Sequence, residues 1–160
     1  MTRIELRTRI RAPRERCFDL ARSVELHARS AASTREAAVG GRTRGLLELG
    51  DEVSWRARHF GVWQTLTSRI TAYERPAFFR DSMVRGAFAR LDHEHRFTDE
   101  GGGVTVMDDV LEFAAPWGVL GLVAERLLLG RHLQRFLTAR NLELKAVAES
   151  DAWRRFVSPA

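Results

Sequence analysis

Between residues 34 and 113 the sequence reads as six strand-like segments in direct succession, and one long apolar-striped segment follows them. The strand-like segments span residues 34–39, 51–60, 62–74, 77–84, 87–97 and 103–113. Gly40-Gly41, Gly45, Gly50, Gly61, Pro76, Gly86 and Gly101-Gly102-Gly103 mark most of the breaks between them, and "TDEGGG" is suited to a hairpin loop. Links this short join neighbours that run antiparallel. A seventh strand is the most regular of all: Arg3, Glu5, Arg7, Arg9 and Arg11 alternate with Ile4, Leu6, Thr8 and Ile10, the period of a half-buried strand.

Two short helices separate this first strand from the others. Pro13 stands where a first helical turn accepts proline, and Cys17, Phe18, Leu20 and Ala21 follow at helical spacing, ending near Arg22. Ser23 is placed to cap a second helix, "SVELHARSAA", whose Val24, Leu26, His27 and Ala31 supply one side. After Pro116, Leu120, Val123, Leu127, Leu128, Leu133, Phe136, Leu137, Leu142 and Leu144 recur at threes and fours. That spacing predicts one long amphipathic helix, bent near Gly130 and preceded by a looser turn at "PWGVLG". The tail "SDAWRRFVSPA" has no clear period and is expected to fray, unless Trp153 and Phe156 fold back.

A strongly curved antiparallel sheet must have its concave face covered, and one long helix is the only large element left to cover it. The expected fold is α+β: a helix-grip domain over residues 1–149, with about seven strands wrapped around the C-terminal helix and residues 150–160 as a tail. Where a helix does not fill a curved sheet, a cavity remains between them.

Composition narrows the function classes. At 160 residues, 44% hydrophobic and 29% charged, the chain has the balance of a soluble globular domain. Its longest apolar run, "AAPWGVLGLVAERLLLG", is broken by Glu125 and Arg126, and "MTRIELRTRIR" lacks the apolar core of a secretion signal. No membrane insertion is expected, and the expected location is cytoplasmic. Cys17 is the single cysteine, which suits a reducing compartment and reads as a buried structural thiol. The net charge of +5 is almost all arginine, with Lys145 the single lysine, spread along the chain among acidic neighbours. Phosphate recognition needs a concentrated basic patch with stacking positions, so no nucleic acid partner is expected.

The run "GDEVSWRARHFGVWQTLTSRITAYERPAFFRDSMVRGAFARLDHEHRF", followed by "MDDVLEF" and the Pro-Trp-Gly and Leu-Gly positions after it, resembles the START/polyketide-cyclase (SRPBCC) superfamily over roughly residues 3–149. It is most similar to a bacterial subgroup called SRPBCC or cyclase family proteins, some labelled cell-division-inhibitor-like. The resemblance implies a deep apolar pocket for lipids, polyketides, sterols or other hydrophobic and aromatic molecules. It carries no shared catalytic residue onto this chain.

Parity along the strands selects the residues of that pocket. If residues 87–97 form a strand, Ala89, Leu91, His93, His95 and Phe97 share the dry face while Arg90, Asp92, Glu94 and Arg96 share the wet one. By the same rule Val53, Trp55, Ala57 and His59 point inward, and Met107, Asp109, Leu111 and Phe113 form the more apolar face of the last strand. The expected ligand-binding residues are therefore Trp55, His59, Phe79, Leu91, His93, His95, Met107, Asp109, Leu111, Phe113, Trp117 and Leu120. Trp63, Phe60 and Phe88 extend the aromatic set. Arg126, Arg131 and Arg135 are expected on a solvated helix face.

Three histidines and a carboxylate on one wall allow three readings. They form a buried polar network, since buried polar groups must be satisfied. They contact ligand, with His59, His93, His95 and Asp109 as candidate acid/base groups. Or they ligate a metal, which requires convergence; His93 and His95 lie about 6.6–6.8 Å apart along a strand, so a third ligand must come from a neighbour. No cofactor and no metal are assigned from sequence. The leading function is binding of a hydrophobic or amphipathic small molecule. The alternatives are an aromatase/cyclase- or dehydratase-type enzyme, and a cell-division-related interaction module presenting Trp153 and Phe156.

Overall fold

The computed structural model describes residues 1–115 and 128–157. Strand β1 (Thr2–Ile10) is followed by helices α1 (Arg14–Ala21) and α2 (Val24–Ser30) and a 3-10 turn at Ala32–Thr34. Then come β2 (Ala37–Gly41), β3 (Glu52–His59), β4 (Val62–Glu74), β5 (Phe78–Arg85), β6 (Arg90–Gly101) and β7 (Val104–Ala114). Helix α3 (Gly130–Ala148) and a 3-10 turn at Asp151–Arg155 complete the described chain. The seven strands form one antiparallel sheet in the order β1-β7-β6-β5-β4-β3-β2. This is the helix-grip arrangement.

The topology explains the two short helices. β1 and β2 occupy opposite edges of the sheet, so the chain must cross from one edge to the other before the meander begins. Helices α1 and α2 make that crossing, and α3 packs along β1 and against both of them. Ser23 caps α2 as its sequence position predicts, accepting from Leu26 N at 3.3 Å. Pro13 stands one residue earlier than expected, as the extended N-cap of α1 rather than in its first turn.

Two apolar clusters hold the layers together. One surrounds Phe18, which is fully buried and meets Tyr73, Phe79 and Phe97 edge-on, with centroids 5.4, 5.4 and 5.5 Å away. The other joins Leu133 and Leu137 of α3 to Ile4, Leu91, Leu111 and Phe113 of the sheet. On the opposite face of the sheet the arginines pair across strands: Arg3 with Glu112, Arg7 with both oxygens of Asp108, and Arg69 with Glu52. Exposed pairs of this kind contribute little to stability, because water and salt screen them. They place much of the basic charge beside acidic partners.

Several expectations need correction. The second strand begins at Ala37, not at 34, because the Thr34 hydroxyl donates to Ala31 O at 2.9 Å and closes a 3-10 turn, from which Arg35 exits at φ 53°. β6 runs to Gly101 rather than stopping at 97: Gly101 still pairs with Val104, so the hairpin turn is only Gly102-Gly103, both at positive φ. Leu142 is 60% exposed, and the buried stripe of α3 is Leu133, Leu137, Asn141, Leu144 and Val147. The tail does not fray over 150–157: Ser150 caps its turn, Val157 is buried, and Trp153 and Phe156 pack against the core. Trp117, Leu120, Val123, Arg126 and Leu127, with the "PWGVLG" turn, lie outside the described residues.

Candidate functional site

A cavity of about 440 Å³ lies between the concave face of the sheet and α3. Its wall is mostly apolar, built from residues such as Leu66, Ile70, Phe79, Leu133 and Leu137. Alternation along each strand puts these side chains inside, since every second residue faces the same way. Of the residues expected from sequence, Trp55, His59, Phe79, Leu91, His93, His95 and Leu111 line the cavity. Met107, Asp109 and Phe113 are buried beneath it rather than on its surface. Phe60 and Phe88 reach the cavity, whereas Trp63 does not: it is exposed, with the Arg56 guanidinium 4.7 Å above its ring.

His93 and His95 share the inner face of β6, with ring centroids 3.9 Å apart. Each has a carboxylate on both sides. On the β7 side Asp109 Oδ1 lies 2.6 Å from His95 Nδ1 and 3.3 Å from His93 Nε2. On the β5 side Asp81 Oδ1 lies 3.5 Å from His95 Nε2 and 4.0 Å from His93 Nδ1. Register makes this possible: His95 stands opposite Asp109, and Asp81 opposite His93. Asn141 of α3 fixes the lower carboxylate, donating from Nδ2 to Asp109 Oδ2 at 2.6 Å. Phe79 stacks on His95 with centroids 4.3 Å apart.

The contacts on the Asp109 side are close but poorly aligned. His93 Nε2, His95 Nδ1 and Asp109 Oδ1 are buried atoms in charge contact, and none makes a well-directed hydrogen bond. Burial, and then the neighbouring His95, together outweigh the opposing pull of Asp109 and Asp81 and lower the pKa of His93 to about 4. Burial also opposes charge on His95, but Asp109 and then Asp81 outweigh it, and its pKa is raised. Asp109 is held well below the usual carboxylate range: burial opposes its charge, and His95 and His93 overcome the opposition. Asp81 is lowered by the same competition between burial and the two imidazoles. The two adjacent imidazoles are thus pushed in opposite directions: burial keeps His93 from taking up a proton, while the two carboxylates favour the charged form of His95.

His59 does not join this group. Its Nδ1 lies 2.9 Å from His132 Nε2 of α3, and burial lowers both rings so that one neutral imidazole donates to the other. The pair ties β3 to the first turn of α3. A further pair sits on the cavity wall, where His27 Nε2 is 2.6 Å from Glu36 Oε1 and the His27 ring stacks on Trp55 at 4.0 Å. Arg140 of α3 also lines the cavity. Among the described residues no carboxylate forms an ion pair with it.

Sequence reasoning missed Asp81, His27, Glu36, His132, Arg140 and Asn141. Asp81 was within reach of the parity rule, because Phe79 was placed inward and Asp81 is two residues on. Asn141 sits in the 133-137-141 stripe of α3, a polar residue at an apolar position. His132 and Arg140 come from a helix whose rotation about its axis no strand pattern sets.

No protein-family profile matches the chain, and no curated protein sequence matches it. Solved structures do. The Zhui aromatase/cyclase from Streptomyces sp. R1128 superposes with a TM-score of 0.74 at 17% identity, covering 98% of this chain and 96% of that one. A START superfamily protein from Mycobacterium smegmatis gives 0.68 at 10% identity, covering 91% and 98%. Major latex-like protein 151 from Panax ginseng gives 0.64 at 11% identity, covering 93% and 98%. The chain therefore has the helix-grip fold of the START/polyketide-cyclase type. Among the described residues no helix is long and apolar enough to cross a membrane.

Proposed function

We propose that this protein binds a hydrophobic or amphipathic small molecule, of lipid, polyketide-like or aromatic character, between the sheet and α3. The observation that carries the reading is the cavity itself: about 440 Å³ of mostly apolar space, large enough for a small-molecule ligand, with polar groups gathered at a few points on its wall. An apolar body would rest against Leu66, Ile70, Leu133 and Leu137, and a polar group would meet His95, Asp81 or Arg140. Likeness in fold to an aromatase/cyclase and a START protein supports this reading at the level of architecture.

The test is native mass spectrometry of the purified protein followed by denaturing extraction, together with titration of the fluorescent probe 1-anilinonaphthalene-8-sulfonate. Ala57 is buried on the cavity wall, so Ala57→Phe places a ring in the space a ligand would use. Probe affinity is expected to fall at least about tenfold, or about 1.4 kcal/mol, with the fold retained. A folded Ala57→Phe that binds the probe like the wild type would sink the reading.

The second reading is acid/base catalysis of the cyclase or dehydratase type, favoured by one observation. His93 and His95 are neighbours on the cavity wall whose pKa values are pushed in opposite directions, and a pair of that kind can supply both a base and an acid to one site. In an enzyme, His95→Gln removes turnover while probe binding persists; in a carrier it changes affinity modestly. The interaction reading has less to stand on, because Trp153 lies beneath the Arg16 guanidinium at 4.4 Å and Phe156 packs within the chain.

A further inference from the structure

Asp81, His93 and His95 offer two imidazole nitrogens and one carboxylate oxygen that all lie within 4.8 Å of one another. The nitrogens concerned are the two that face Asp81, at 3.5 and 4.0 Å from its Oδ1. In a tetrahedral shell with bonds of about 2.0–2.2 Å, ligand atoms stand roughly 3.3–3.5 Å apart. Small side-chain rotations would bring the three into that range. β5 and β6 hold their backbones in register, with Asp81 opposite His93, so no rearrangement of the sheet is needed.

The opposite nitrogens supply the second observation. A metal-ligating imidazole turns its other N–H toward a carboxylate or carbonyl, which sets its tautomer and orientation. Here both remaining nitrogens, His93 Nε2 and His95 Nδ1, face one buried carboxylate, Asp109, whose other oxygen is held by Asn141. Those two nitrogens and Asp109 Oδ1 are also three of the four buried side-chain atoms, among the described residues, left without well-directed hydrogen bonds; the fourth is Arg14 Nε, outside the cluster. Drawing the rings toward a metal on the Asp81 side would re-aim them.

Charge points the same way. Two carboxylates flank two imidazoles on a wall of low polarity; metal ligation requires both rings neutral, and in that state the group carries two negative charges. One divalent cation balances them. Nitrogen and carboxylate donors in a two-to-one ratio suit first-row transition metals rather than Mg²⁺ or Ca²⁺, which take oxygen shells. We propose that Asp81, His93 and His95 form a site for one divalent transition-metal ion, zinc or ferrous iron in type, with Asp109 orienting both imidazoles and an open coordination position facing the cavity. A group bound in the cavity with a carbonyl, enol or carboxylate oxygen would then sit within reach of the metal.

The site does not depend on the identity of any cavity ligand. Probe binding by chelator-treated protein and metal binding by probe-free protein are separate readouts, so either reading can fail alone. The full chain is stripped with a chelator and titrated with Co²⁺ alone, followed by its visible ligand-field bands, and then with Zn²⁺ in competition. One tight site per chain is expected. Asp81→Asn and Asp109→Asn should each weaken binding by at least about tenfold, and His132→Gln, in the separate histidine pair, should leave it unchanged. Zinc-edge X-ray absorption on the wild type tests the site without any variant and should show two imidazoles in the shell. Absence of stoichiometric binding, a shell of oxygen ligands only, or loss with His132→Gln in place of Asp81→Asn would each overturn the proposal.

Discussion

His95 and Asp109 face each other across the β6–β7 ladder and bring Nδ1 to 2.6 Å from Oδ1, with both side chains almost wholly removed from solvent. Removing one member of such a pair strands the other in a medium that does not solvate charge. Asp109→Ala is expected to cost about 3–5 kcal/mol, read as a drop in the urea midpoint. Replacing both members, His95→Leu with Asp109→Leu, should cost less than the sum of the single changes, with a coupling of about 0.5–3 kcal/mol in a double-mutant cycle. Additive single changes would mean the two groups act independently.

Phe18 supports the same region from behind. Its ring meets Phe79 edge-on at 5.4 Å, and Phe79 in turn stacks on His95. Phe18→Ala empties a fully buried site at the junction of α1 with the sheet and is expected to cost about 3–5 kcal/mol in chemical denaturation. A loss below 1 kcal/mol would show that α1 is not packed as described.

Acid sensitivity should come in part from Asp19. Its carboxylate is nearly buried and pairs with Arg22 at 2.8 Å and Arg75 at 2.7 Å. Burial opposes its charge, but Arg75 and then Arg22 prevail and lower its pKa. A depressed folded-state value contributes stability that is fully present above the unfolded value of about 3.9 and is lost as pH falls through the folded one. The stability gap between wild type and Asp19→Asn should therefore be widest at pH 6–7 and shrink below about pH 4. A gap that stays constant down to pH 3 would contradict the pairing.

Cys17 is fully buried in α1, and burial pushes its thiol up to about 11. The thiolate is the reactive form, so a rise from about 8.5 cuts the reactive fraction by roughly two orders of magnitude before access is considered. Ellman's reagent at pH 8 is expected to react with the unfolded chain at least about 100-fold faster than with the folded one. Comparable rates would place the thiol at the surface.

Much of the fold was legible because strand periodicity is local. The alternation in β1, β3 and β6 assigned faces correctly: Val53, Trp55, Leu91, His93, His95 and Phe97 are all buried. Boundaries were harder. β2 started late because a hydroxyl-to-carbonyl bond at Thr34 closed a turn first, and β6 extended because three glycines permit a turn only two residues long. The tail misled because its apolar residues have no period, yet Val157 is buried and Trp153 and Phe156 rest against the core.

The sequence by itself determined the order of elements, the antiparallel meander and which side of each strand is dry, since these follow from spacing and from the turns glycine and proline allow. Tertiary structure alone decided which polar residues meet. Asp81 reaches His93 and His95 through the register of β5 on β6, and Asp109 reaches them from β7. His59 pairs instead with His132, and Asn141 reaches down to Asp109, because of how α3 is rotated over the sheet. Parity specifies a face one strand at a time. Register and helix rotation are set by packing summed over many residues, and no single segment carries that information.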